Sequence, residues 1–391
     1  MNRHFCRGAA AIISALFAPG VFAGAVSADF SVLTDMTFYV PEAPAQGMLF
    51  SNNEVFVAPA ISLFADLKFG DRILLHGLLD ADRGFDPGMK LDGDVRFDEY
   101  YLQAEVLDNS RLDVRVGKFA TVFGNWVPRH FATDNPLITA PMLYGNFVPI
   151  SDSNSLAGVP AFAARRNRKD NKEDWVSVVW GPSYATGASI TAHSDTVDFA
   201  VEVKNAALSS RPNTWDAIND GFDSPPTVTG RLGWRGAPEW SLGTSFSRGP
   251  YLSDNAKANL PNGAQNTDYE QTTGGIDGAY AHHRFQVWTE LAAVRFEVPR
   301  VGNVEALTGY VEARYKITPQ IWLAGRWNQS WFDDVPGRHL TWARDYRRLD
   351  VGLGYRYNEH IQTKLQYSLG DQAGDNVNGR NLGVWQTTIW F

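Results

Sequence analysis

Hydrophobic and polar positions alternate with period two along most of this chain, most clearly at its end. In residues 349–357 every odd position is apolar or aromatic, and every even position is charged or glycine. Ile361, Thr363, Leu365, Tyr367 and Leu369 repeat the pattern against Gln362, Lys364, Gln366 and Ser368. The chain closes on Leu382-Gly383-Val384-Trp385-Gln386-Thr387-Thr388-Ile389-Trp390-Phe391. Successive side chains of a strand point to opposite faces, so strict alternation predicts strands with one apolar and one polar side.

The same reading gives strands over residues 29–40, 61–68, 72–79, 99–106, 111–117, 156–165, 175–181, 188–193, 197–204, 228–235, 240–248, 269–280, 285–297, 304–317 and 321–332. With the three at the end this makes 18 strands; losing 29–40 and one weak middle strand makes 16. Short turns (70–71, 108–110, 235–239, 281–283, 318–319, 358–360) alternate with longer connections (205–226, 249–267, 333–344, 371–380). That rhythm belongs to a transmembrane barrel, with short turns on one side of the membrane and long loops on the other. Both ends of the chain then lie on one side only if the strand count is even. The expected fold is all-β: an antiparallel up-and-down β-barrel of 18 strands, with 16 as the alternative. The pattern collapses from Gly124 to Asn154, in a stretch rich in Pro, Asn and Gly. A loop of that length is uncommon and usually functional.

Composition agrees. A membrane-spanning helix needs about 20 consecutive apolar residues, and past the N-terminus no such run occurs. Yet 13% of residues are aromatic, with 13 Trp, 14 Tyr and 23 Phe, as aromatic girdles around a polar lumen require. Residues 1–23 read as an export signal: Arg3 and Arg7, an apolar stretch over 9–17, and a small-residue cleavage site at Val21-Phe22-Ala23. Val26-Ser27-Ala28 is a second legal site. Cys6, the only cysteine, falls within that segment, so the mature chain has neither disulfides nor thiolate chemistry. Losing Arg3 and Arg7 takes the formal charge from -8 to -10, which argues against nucleic acid as a partner.

The final strand, closing on Phe391, resembles the terminal strand of Gram-negative outer-membrane barrels. In that family the last aromatic is part of the signal read by the barrel-assembly machinery. The run Val114-Arg115-Val116-Gly117-Lys118-Phe119-Ala120-Thr121-Val122-Phe123-Gly124 is similar to the strand-to-loop passage of porins, including the phosphate-selective type. The resemblance implies an outer-membrane location, contact with lipid and lipopolysaccharide, passive diffusion without cofactor or catalysis, and a homotrimer. It also implies a long loop folding into the lumen. Trp126, Arg129, His130 and Asp134 are then the candidate constriction residues. Capping the mouth or covering a subunit interface is the alternative for this loop.

Energetics assign the faces. Arg or Lys on the lipid side near mid-bilayer costs roughly 2–4 kcal/mol, so the charged face of each strand points inward. That places Arg72, Asp80, Glu99, Glu105, Asp113, Arg115, Arg231, Glu290, Glu312, Arg314, Arg326, Arg348, Asp350, Arg356 and Lys364 in the lumen. With both signs present, no ion preference follows. Arg295 falls in the apolar phase of its strand and is expected above the bilayer or at a bulge. Inward Trp288, Tyr310 and Trp322 suit ordinary packing better than a sugar-stacking track. Chemistry that would compete is thin: no histidine sits in a nucleophile motif such as G-x-S-x-G, and no cluster has zinc spacing. His282-His283 reads as a solvated turn, and the acidic stretches at 86–88 and 371–375 as hydrated loops. The other readings are a barrel hydrolase acting on lipid or protein, and a plugged structural or adhesion barrel.

Overall fold

The computed structural model describes residues 26–42, 55–84, 93–107, 111–167, 174–212, 226–372 and 381–391. The export signal, most of the loop at 86–93, the turn at 108–110 and most of the acidic loop at 371–380 lie outside them.

Alternation produces the strands expected of it: β1 (Val26–Pro41), β2 (Phe56–Phe69), β3 (Ile73–Asp82), β4 (Asp94–Leu107) and β5 (Leu112–Phe119). Two short strands follow, β6 (Phe147–Ser151) and β7 (Trp175–Ser177), then β8 (Ala185–His193), β9 (Val197–Lys204), β10 (Thr227–Ala237) and β11 (Trp240–Pro250). The chain continues through β12 (Glu270–His282), β13 (Phe285–Val298), β14 (Gly302–Lys316) and β15 (Ile321–Phe332). It ends with β16 (Tyr346–Arg356), β17 (Ile361–Gln372) and β18 (Leu382–Trp390). Sixteen of these form a closed antiparallel barrel, sealed by β1 against β18 from Leu33↔Trp390 to Pro41↔Leu382. Closure leaves no unpaired edge, which is what lets a sheet stand in hydrocarbon.

The count is therefore 16 and not 18. Strand 29–40 is present, whereas 156–165 and 175–181 leave the wall. The first contains a helix, Val159–Arg165, with proline at its start and an alanine-rich body, both of which favour helix over strand. The second yields β7, which pairs only with β6.

Outward positions are apolar and exposed, as with Leu323, Trp327 and Trp331 on β15 and Val351 and Leu353 on β16. Their neighbours Trp322, Ala324, Arg326, Asn328 and Ser330 turn inward and are buried. Among the described residues no helix is long and apolar enough to cross a membrane. Aromatics gather by the short turns: Trp240 meets Tyr280 at 4.6 Å between ring centroids, and Phe391 stacks on His360 at 5.0 Å. Arg295 points outward three residues from the long-loop end of β13, in regular register, and pairs with Glu305 at 2.6 Å. No bulge occurs there.

One irregularity matters for the interior. Leu78 opposes Glu99 and Leu79 opposes Phe97, which leaves Asp98 as a bulge. A bulge re-aims side chains; here both Asp98 and Glu99 face the lumen.

Candidate functional site

Residues 120–167 and 174–184 lie between β5 and β8 in the chain, and much of this segment runs inside the barrel. Irregular backbone in a membrane barrel must find partners for every N–H and C=O, and the inward side chains supply them. Wall acceptors take the amides. Glu99 accepts from Ala120 N–H at 2.7 Å, and Glu202 from Thr121 hydroxyl at 2.6 Å and Val122 N–H at 3.2 Å. Gln366 accepts from Ile138 and Thr139 N–H at 2.6 and 3.0 Å, and Asn328 from Met142 N–H at 2.9 Å. Wall cations take the carbonyls. Lys364 Nζ donates to the carbonyls of Ala132, Asn135 and Leu137 at 2.9, 3.1 and 3.0 Å. Arg326 donates to Thr139 and Ala140 at 2.9 and 3.1 Å, and Arg348 to Ala140 at 3.0 Å.

Glu290 gathers four donors at one carboxylate. Its carboxylate accepts from Asn125 N–H at 3.0 Å, Trp126 N–H at 2.7 Å, Tyr144 hydroxyl at 2.6 Å and Tyr310 hydroxyl at 2.8 Å. The approach requires Gly124. Its φ is +73°, and an added Cβ would sit 2.3 Å from both Glu290 Oε2 and the Tyr144 hydroxyl.

Beside it runs a buried chain of alternating charge: Arg129 pairs with Glu312, and Glu312 with Arg326 at 3.0 Å. Arg326 then meets Asp350 at 2.9 Å, and Asp350 meets Arg348 at 2.8 Å. Arg129 also donates to Tyr310 at 3.0 Å and lies 4.5 Å from the centre of the Trp288 ring.

The four constriction candidates separate. Trp126 is buried, 4.7 Å from the Tyr144 ring. Arg129 is consumed by the charge chain. His130 is wedged between the Val127 carbonyl at 2.5 Å and the Tyr184 hydroxyl at 2.7 Å, and burial holds its pKa below the ordinary value. Asp134 alone is exposed, and it lines a cavity of about 480 Å³ with Arg356, Gln320, Glu359 and Trp390 by the short turns.

The predicted lumen charges face inward with one exception: Arg72 lies in the turn between β2 and β3. Asp80 accepts from Ser62, Arg231 pairs with Asp277 at 2.6 Å, and Arg115 stacks over Tyr101 at 4.3 Å. Glu105 and Asp113 oppose each other on β4 and β5. Trp288 lies under Arg129, and Trp322 donates to the Pro136 carbonyl at 3.1 Å. Both pack against the segment, as Tyr310 does.

Sequence reasoning missed Arg96, which bridges Asp82 at 2.6 Å and Asp98 at 2.8 Å. Val95 and Phe97 alternate with Arg96 and Asp98, but the bulge breaks the phase before Glu99. It also missed that the inner face turns apolar at Ala292, Val294, Phe296 and Val304, where Leu143, Val148 and Val179 of the segment pack. The near-continuous apolar run at 291–296 is the available signal, since a strand buried on both faces loses its alternation.

No family model and no curated protein matches the sequence. Solved structures do match. OmpT, an outer membrane protein of Vibrio cholerae, aligns over 96% of this chain and 100% of its own with a TM-score of 0.58 and 10% identity. The outer membrane channel DcaP of Acinetobacter baumannii covers 94% and 98% at a TM-score of 0.57 and 12% identity. An anion-selective porin from Comamonas acidovorans covers 94% and 99% at 0.56 and 9% identity. At such identities the likeness is one of fold: this chain has the closed-barrel architecture found in outer-membrane channels.

Proposed function

We propose that this protein is an outer-membrane channel for passive diffusion of small hydrophilic solutes, narrowed by the segment inserted between β5 and β8. The observation that carries the reading is this segment, held inside a closed barrel by inward charges on opposite sides of the wall. Its outward apolar surface meets lipid and lipopolysaccharide. The likeness in fold to the DcaP channel and to the anion-selective porin supports the same function, and a homotrimer is the assembly that the porin resemblance implies. Residues 1–23 direct export. Cleavage after Ala23 leaves Val26, Ser27 and Ala28 to pair with Phe69, Lys68 and Leu67, whereas cleavage after Ala28 would remove that pairing. Phe391, whose N–H and C=O pair with Val32 at 3.0 and 2.9 Å, carries the assembly signal. No catalysis is needed. His76 lies 2.6 Å from Asp66 and 3.4 Å from Glu99 and stacks on the Tyr101 ring at 4.8 Å, which in this reading makes it part of the polar inner wall. The test is single-channel recording of the refolded mature chain in a planar bilayer. Small ohmic steps are expected, because much of the cross-section is filled. Folded protein that conducts nothing would overturn the channel in favour of a plugged barrel.

A further inference from the structure

Among the described residues one asparagine is followed by glycine: Asn262-Gly263, in the connection between β11 and β12 at the long-loop end. Both residues are exposed. They form the tip of a turn closed by Ala264 N–H on the Pro261 carbonyl at 3.0 Å. Gly263 takes φ +81°, and a Cβ added to it would meet nothing within 4 Å. That conformation suits glycine and strains a residue with a side chain. Neither the Gly263 amide nor the Asn262 side chain has a hydrogen-bond partner among the described residues. Two nearby asparagines differ. Asn259 donates to Asn154 at 3.1 Å and precedes Leu260. Asn266 is buried, donates to the Leu252 carbonyl at 3.3 Å and to Asp254 at 3.0 Å, and precedes Thr267.

The amide carbon of an asparagine side chain is an electrophile within reach of the peptide nitrogen that follows it, and an intramolecular encounter of this kind favours ring closure. Two things ordinarily oppose it: a side chain on the following residue, which crowds that nitrogen, and a hydrogen bond that occupies the amide. Neither is present at Gly263. The Gly263 nitrogen gives its proton to solvent base and bonds to Asn262 Cγ, the Cγ–Nδ2 bond breaks, and ammonia leaves. Water then opens the succinimide at either carbonyl, giving aspartate or, with the main chain rerouted through Cβ, isoaspartate. The sum consumes a water and releases an ammonia, with nothing oxidised or reduced. Both products add a negative charge, and isoaspartate also adds a methylene to the backbone. That lengthening falls between two anchors, Leu260 in the apolar cluster that includes Phe162 and the buried Asn266. The same connection holds the inserted segment, through Ser253 N–H on the Asp152 carbonyl at 2.8 Å and through Asn259 on Asn154.

We propose that Asn262 is a site of spontaneous deamidation, and that isoaspartate formed there loosens the β11–β12 connection from the inserted segment. Neither step requires the barrel to conduct. The test incubates the detergent-folded full chain at mildly alkaline pH and follows it by peptide mass mapping, with fragmentation to locate the converted residue. Enzymatic methylation specific for isoaspartate distinguishes the two products. Conversion of Asn262 is expected to accumulate with time and to quicken as pH rises, while Asn259 and Asn266 stay intact. Gly263→Ala and Asn262→Gln should each lose the product, the first by crowding the nitrogen and the second because its longer side chain closes a less favourable ring. Limited proteolysis of the same samples, read as cleavage within residues 251–268, should speed up as isoaspartate accumulates. Fresh Asn262→Asp, which brings the charge on a normal backbone, should be cleaved like fresh wild type. Heat-modifiable mobility on gels verifies that each variant has folded. No conversion at Asn262, equal conversion at Asn259 and Asn266, or undiminished conversion in Gly263→Ala overturns the site. Conversion without faster cleavage keeps the site and overturns the loosening. Rapid cleavage of fresh Asn262→Asp overturns the part given to the longer backbone.

Discussion

Replacing Glu290 by alanine should release the inserted segment while leaving the barrel closed. The carboxylate satisfies two main-chain amides and two phenols, three of these donors belonging to the segment. Each buried donor left without an acceptor costs about 1–3 kcal/mol; Tyr310 keeps Asn125 Oδ1 at 3.2 Å, so the other three together cost at least about 3 kcal/mol. At about 1.4 kcal/mol per decade, the undocked population rises on the order of a hundredfold. Glu290→Gln should be far milder. The amide oxygen at the Oε1 position keeps three of the donors, and the amide nitrogen can donate to the Tyr144 hydroxyl oxygen. The assay is paired: single-channel conductance, and limited proteolysis read as cleavage within residues 120–184. Glu290→Ala should give larger, noisier steps and rapid nicking on a barrel that still shifts on heating; Glu290→Gln should resemble wild type. Equal protease resistance in Ala and wild-type proteins would refute the idea that wall side chains hold the segment.

Three further outcomes follow from the same geometry. Gly124→Ala places a Cβ against Glu290 and Tyr144 at positive φ and should also loosen the segment. Gly263→Ala, at φ +81° with nothing within 4 Å, carries the backbone strain alone and should not; equal effects would assign the loss to strain. His130 donates from Nδ1 to a carbonyl, so neutral Nε2 accepts from Tyr184. Burial lowers its pKa against the opposing pull of Glu99, Asp80 and Asp134. The undocked segment therefore binds the proton first, and docking weakens as pH falls below about 6.5. Conductance noise should rise in that range and not in His130→Gln, and a flat wild-type profile would contradict this. Leu353→Arg, on the exposed outer face of β16, should lower stability in lipid vesicles by roughly 2–4 kcal/mol, measured by urea unfolding. No change would mean that the faces are assigned wrongly.

Much of the architecture is local and therefore legible in the chain. Period-two alternation specifies both the strands and their lipid faces, because charge is costly in hydrocarbon. Short and long connections alternate because hairpins close tightly on one side. Thus Leu353 outward and Asp350 inward follow from the residues alone. The strand count did not, because 156–165 and 175–181 have a composition compatible with either wall or loop. They leave the wall because Pro160 starts a helix and Trp175 finds a partner in β6. The site was half legible. That Arg326, Arg348, Lys364 and Glu290 face the lumen follows from phase; that they hold peptide groups of residues 120–142 does not. Those contacts join positions more than a hundred residues apart, and only closure of the barrel brings them together. The same closure decides which inward groups meet the segment and which do not.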